Sequence, residues 1–232
     1  GRGTYSVASP SAPADYLARL ERFGRPAWLF VFEGNDLYEP ERMCAITARE
    51  RPAKSRMAAW RRAFPLADKT RMYWQKTHRA LRGRIAALRG RAPAPRVVRQ
   101  AVGGREMLFL AEYVAVTGRA DYEIPPCLVE RARAAAHLIR GVFFIPTKYR
   151  VYHGLLDAPA PAPLPEGNWR AVQRFAAAAG VPAHDLTPAL AAAARAALPD
   201  GRFVYWRDDT HWNSLGAEAA AREFARVAFE RK

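Results

Sequence analysis

The chain is short of cysteine, with only Cys44 and Cys127 among 232 residues. Neither thiol has metal-ligand spacing, and the two can pair or stay free. Histidine is equally sparse, and His78, His137, His153, His184 and His211 never recur at ligand spacing, so no metal site is expected. There is no apolar run long enough to span a bilayer. A recognisable leader is missing too. The sequence opens at Gly1 rather than Met, which fits a processed or truncated product and leaves a leader upstream of Gly1 open.

Acid is the minority charge. Lys and Arg number 37 against 22 Asp and Glu, a net charge of +15. Such a balance raises nucleic acid or an anionic surface as partners. The excess is uneven, however, and concentrates between about Arg42 and Arg105. Trp60, Phe64, Tyr73 and Trp74 interleave with arginine there, a pattern that stacks bases in some proteins but more commonly packs a helix on its own domain. The charge therefore reads as a preference for polyanions at most, with nucleic acid the least favoured partner.

What is present in quantity is apolar residue, half of the chain, enough for a sizeable single core. Ala27-Trp28-Leu29-Phe30-Val31-Phe32 is a continuous apolar run bounded by turn residues, as in a strand buried on both faces, and it ends in Glu33-Gly34-Asn35-Asp36. Leu17, Leu20 and Phe23 recur at helical spacing before it, with Gly24 as the stop. Residues 40–120 change character and read as a basic helical insertion or lid within one domain covering 1–232. Alternation then resumes. A helix from Pro125 to Gly141 precedes a strand at Val142-Phe143-Phe144-Ile145, which turns out at Pro146-Thr147-Lys148-Tyr149. Residues 168–180 form a helix, and Thr187 caps another with Pro188 in its first turn. Phe203-Val204-Tyr205-Trp206 reads as a last strand, and an Ala-rich helix closes the chain. Strands alternating with helices predict a parallel sheet covered on both faces, with ligands beyond the carboxyl ends of the strands.

Three predicted strand ends carry chemistry: Gly34-Asn35-Asp36, Pro146-Thr147-Lys148 and Asp208-Asp209-Thr210-His211. An imidazole at the mouth of a strand-to-helix loop, with a carboxylate two or three residues before it, has the makings of a general base with its orienter. The competing reading makes Asp209 or Thr210 the cap of the last helix, with His211 packed on its first turn.

A buried strand ending in Gly-Asn-Asp, followed far downstream by Asp-Asp-Thr-His-Trp-Asn before a Gly-containing helix start, resembles the SGNH (GDSL-like) hydrolase and acyltransferase superfamily. The Asp-Thr-His-Trp-Asn wording, with Pro146-Thr147-Lys148-Tyr149-Arg150, is nearest the bacterial exopolysaccharide, alginate-type, O-acetyltransferase branch. The resemblance implies a flavodoxin-like three-layer α/β/α sandwich with a mostly parallel sheet. It also implies a Ser–His–Asp triad, no cofactor, a carbohydrate or exopolysaccharide ester as substrate, and an extracytoplasmic, periplasmic or membrane-anchored location. By it, His211 is the base, Asp209 or, close behind, Asp208 the orienting acid, and Asn35 the oxyanion-hole amide beside Gly34. Lys148, Tyr149, Asp36 and Trp212 would then line or brace the substrate side.

The chain departs from the family at the nucleophile. No Gly-Asp-Ser block occurs, and the position where a glycine would donate its N–H falls at Ser9 in Tyr-Ser-Val-Ala-Ser. The expectation is that the first strand, its serine and any membrane tether lie upstream of Gly1. Recruitment of Ser6, Ser9 or Ser11 is disfavoured, because none follows a buried strand in a tight turn. A catalytically silent carbohydrate-binding module is the alternative reading.

Overall fold

A computed structural model describes Leu17, Leu20, Glu21, residues 24–37, Trp74, Thr77, His78, residues 96–158 and residues 162–229. The chain forms two compact units, residues 1–47 together with 97–232, and residues 48–96. In the smaller unit Trp74 and His78 lie one helical turn apart, exposed, with rings stacked at 6.5 Å.

The larger unit is built on strand β1 (Ala27–Phe32), which pairs in parallel with β4 (Ile139–Ile145); β4 in turn pairs in parallel with β5 (Ala183–Asp185). Side chains alternate across this sheet as its pleat requires. Leu29, Val31, Val142 and Phe144 enter one core with Leu17, Leu20, Leu128, Val172 and Phe175. Phe143 enters the other with Leu186, Leu190, Val204, Tyr205 and Ala220. The first core is roofed by α2 (Pro126–Ala134) and α4 (Gly167–Ala178), the second by α5 (Thr187–Ala197) and α6 (Ser214–Phe229). Phe224 of α6 reaches over Trp28, Phe30 and Phe143 with ring centroids 5.8, 5.6 and 5.4 Å away. The predicted α/β architecture with a mostly parallel sheet between helical layers is therefore the observed one.

Between β1 and β4 the described chain forms an antiparallel hairpin, β2 (Val97–Val102) and β3 (Arg105–Leu110), followed by α1 (Ala111–Thr117). Gly103 and Gly104 close it with φ of 58° and 71°, the left-handed pair that a two-residue turn of strand-matching twist needs. Asp157 accepts both of their N–H groups at 2.7 Å. After β4 comes the short helix α3 (Lys148–Tyr152), capped by the Thr147 hydroxyl, which accepts the Arg150 N–H.

Three local expectations are corrected. The strand of β4 begins at Ile139, not Val142, because Gly141 sits inside it where the Trp28 ring occupies the space of a side chain. Leu186, rather than Thr187, stands at the cap position of α5 and makes no side-chain cap bond, while Asp185 before it accepts the Thr187 N–H at 2.7 Å. Residues 203–206 are not a strand. Val204 N–H donates to the Tyr152 hydroxyl, and regular pairing reduces to one antiparallel bridge between Tyr205 and Trp212. The short strand beside β4 is instead β5, whose three residues are too few to show a period.

Candidate active site

The carboxyl ends of β1 and β4 meet at Glu33 and Thr147. Glu33 is fully buried, its N–H donates to Ile145 O at 2.9 Å, and its carboxylate accepts from Thr147 N (3.0 Å) and Thr147 Oγ1 (3.2 Å). Arg150 closes on the same carboxylate through Nε (2.8 and 2.9 Å) and one terminal nitrogen (2.5 Å), and Asn168 Nδ2 donates at 3.0 Å. A carboxylate taken wholly out of water needs this many partners. Arg150 also donates to Thr117 O and Pro165 O, and Asn168 to Val116 O, so the network ties β1, α1, α3 and α4 together.

Directly beyond Glu33 stand Gly34 and the 3₁₀ turn Asn35–Leu37. Gly34 is buried, and an added Cβ would run into the Phe32 ring and lie 2.9 Å from Tyr113 Cζ. Asp36 is buried and accepts the Phe32 N–H at 2.9 Å, so it braces the turn. Tyr113 packs edge-on against Phe32 at 5.4 Å. Burial, then Glu112 and Asp36, hold its phenol above the usual range. The backbone of Asn35 is in the turn; its side chain, and Ser9 altogether, lie outside the described residues.

The second half is the loop of residues 206–211. Tyr205 and Trp212 bridge at its base, where Trp206 N–H donates to His211 O at 3.2 Å and the two rings meet edge-on at 6.5 Å. Asn213 caps α6, its Oδ1 accepting from Leu215 N (3.0 Å) and Gly216 N (3.2 Å) while its Nδ2 donates to Phe203 O. The cap role weighed for Asp209 or Thr210 thus belongs to Asn213, which leaves the acid free for the imidazole. Asp209 Oδ1 lies 2.5 Å from His211 Nδ1 and also accepts the His211 N–H at 3.0 Å. The hydrogen bond to His211 holds the Asp209 carboxyl below its ordinary value. Asp208 is exposed and makes no such contact among the described residues. His211 is 82% exposed, and its Nε2 has no protein partner among the described residues.

Lys148 and Tyr149 join the two halves. Lys148 is 3% exposed, and its ammonium donates to the carbonyls of Trp206 (3.0 Å), Arg207 (3.1 Å) and Asp209 (2.7 Å). Burial lowers its pKa to about 8, with Asp209 and Asp208 pulling it back up. Tyr149 is buried between Phe109 and His153, edge-on at 5.4 Å to each. Both side chains turn inward from the positions expected to meet substrate. Tyr205 adds a further tie, its hydroxyl donating to Pro146 O at 2.9 Å.

Beside the loop runs a groove of about 570 Å³ whose walls include Arg105, Leu108, Arg202, Trp206, Arg207 and Asp208. Trp206 offers an exposed indole there. Among the described residues no group of three or more His, Cys, Asp or Glu could hold a metal ion. Glu33, Arg150, Asn168 and Tyr113 escaped the sequence reading. One signal was available, since an acid at the end of an apolar strand must be paired wherever it is buried.

Residues 132–232 match a family model described as an SGNH hydrolase-like domain, acetyltransferase AlgX. The matched segment carries β4, α3, β5 and the Asp209–His211 loop; the Gly34-Asn35 turn precedes it. The match supports an activity of the general esterase or acyltransferase kind. No curated protein and no solved structure matches the chain.

Proposed function

We propose, from the premise that residues 132–232 are an SGNH hydrolase-like domain of the acetyltransferase AlgX kind, that this protein moves an acetyl or similar acyl group to or from a carbohydrate hydroxyl. The observation that carries this reading is the Asp209–His211 pair. The carboxylate accepts a hydrogen bond from Nδ1–H, which holds the tautomer with Nε2 as the basic nitrogen, turned to solvent at the sheet's carboxyl edge. His211 then accepts a proton from a nucleophilic serine as that serine attacks the acyl donor, and gives the proton to the departing alcohol as the donor's ester bond breaks, which leaves the acyl group on the serine. Deacylation by a sugar hydroxyl or by water returns the proton through the same imidazole.

The serine lies outside the described residues. Gly34 and Asn35 serve as oxyanion donors, and Glu33 with Arg150 fixes the turn that carries them. The groove beside the loop is the acceptor's approach. Trp206 gives an apolar face for a sugar ring, and Arg207 a cation for any acidic substituent. The disulfide at Cys127 supports an oxidising, extracytoplasmic setting. Among the described residues no helix is long and apolar enough to cross a membrane.

The test is hydrolysis of a small acetyl ester by the protein at its full natural length. His211→Ala should lower kcat by roughly 10²–10⁴, the range for a general base. Asn35→Ala should lower it by roughly 10²–10³, the range for one oxyanion donor. Turnover at the parent rate in His211→Ala would refute the mechanism.

A further inference from the structure

The loop that carries Asp209 and His211 has little of its own to hold it in place. The side chains of residues 206–209 and of His211 are exposed, so they contribute no core packing. Among the described residues its backbone bonds once across its base, Trp206 N–H to His211 O, once to the hairpin, Leu108 N–H to Arg207 O at 2.8 Å, and once within itself, His211 N–H to Asp209 Oδ1 at 3.0 Å. The remaining fixed points are the carbonyls of Trp206, Arg207 and Asp209, and all three converge on one atom, Lys148 Nζ.

An ammonium has three N–H donors. Lys148 spends all of them on these three acceptors, which leaves none for a ligand. The Phe109 ring lies 5.3 Å from the same nitrogen and walls off its other side. Asp208 and Asp209 supply the compensating charge from the loop. The lysine is also fixed at its root. Thr147, the residue before it, is bonded through N and Oγ1 to Glu33, which immediately precedes Gly34. Two consecutive residues therefore tether the two parts of the site, Thr147 the turn after β1 and Lys148 the base loop.

We propose that Lys148 is a positioning residue for the Asp209–His211 pair. Its ammonium sets the path of residues 206–209, and so the place and tilt of the imidazole, and it touches no substrate. The kinetic half of this inference rests on the acyl-transfer reading above; the geometric half does not. The variants are Lys148→Met, which keeps the length and loses the donors, Lys148→Gln, which keeps two N–H donors without the charge, and Lys148→Arg, which keeps charge and donors.

On a small acetyl ester, Lys148→Met should lose roughly 10–100-fold in kcat, the cost of about 1 Å of misplacement. KM should stay within about twofold, because ground-state binding is untouched. Lys148→Arg should recover part of the loss, and Lys148→Gln should fall between the two. A lysine that bound substrate would instead raise KM for the carbohydrate acceptor and leave turnover of the small ester alone; that result overturns the proposal.

The second readout needs no activity. Amide hydrogen exchange at residues 206–211, with the imidazole resonances of His211, should show a loosened loop and a weakened Asp209–His211 contact in Lys148→Met, while the amides of β1 and β4 stay protected. An unchanged loop overturns the proposal even if activity falls. Should Lys148→Met melt globally, the same exchange pattern in Lys148→Gln decides. A wild type without esterase activity would sink the acyl-transfer reading, and the exchange data would still decide this one.

Discussion

Burial pushes the Lys148 ammonium from its ordinary 10.5 down to about 8, and that shift has a sign that can be worked out. Between these values the unfolded chain holds a proton that the folded chain has released, so stability rises with pH across the window. Below about pH 8 the cost of the buried charge is present in full. The facing charges are Asp209 and Asp208, which moderate the shift. Wild type should therefore gain stability relative to Lys148→Met as pH rises from about 8 towards 10.5, read from chemical denaturation at each pH. Turnover should move the other way, because the neutral amine has one donor fewer for three carbonyls. A difference between the two proteins that stays flat with pH would contradict the burial of this charge.

Residues also differ in how legible they were. Asp209 and His211 lie two apart across a turn, a local relation that sequence spacing expresses. Lys148 bonds to three main-chain carbonyls about sixty positions away, and a carbonyl has no side-chain identity to read. Glu33 finds Arg150 at a separation of 117, so neither alone announces the pair.

At the scale of elements, the ends of β1 and β4 are held by a polar core rather than by apolar packing. Glu33 and Arg150, at 0% and 9% side-chain exposure, form its charged centre. Removing one partner leaves the other charge buried without compensation, so Arg150→Met should destabilise by about 3–5 kcal/mol. Replacing both at once, Glu33→Gln with Arg150→Met, should cost less than the sum of the single changes, since the residues share one network. Thermal or urea melts of the three variants check this, and strict additivity would argue against coupling.

The strands at 27–32 and 142–145 were legible because apolar runs bounded by turns have few alternatives. Residues 203–206 carried a similar run and misled. The side chains of Phe203, Val204 and Tyr205 are needed by the second core, but Tyr152 and Asn213 satisfy backbone groups at Val204 and Phe203 that a neighbouring strand would otherwise pair. Burial was readable there; the partner that satisfies the backbone was not.

At the scale of the whole molecule, basic charge and oxidation state each have a pattern of their own. The excess of +15 is concentrated in residues 42–105, whereas the two site stretches hold Glu33, Asp36, Asp208 and Asp209. Cys127 is disulfide-bonded, and the second cysteine of the sequence, Cys44, lies outside the described residues. Two thiols without metal spacing left pairing open at the level of sequence, because spacing says nothing of distance in the fold. Cys127→Ser, or reduction of the wild type, should lower stability by about 2–4 kcal/mol, measured as a fall in Tm with and without reductant. An unmoved Tm would remove the disulfide as a structural element.

The consecutive tethers at Thr147 and Lys148 give the site an unusual kind of tolerance. The turn at Gly34 and the imidazole of His211 are referenced to one shared datum, the first residues of α3. A thermal displacement of α3 then moves both in common mode and cancels in their separation. The distance on which the proposed acyl transfer depends is thus buffered against the motion of the element that sets it.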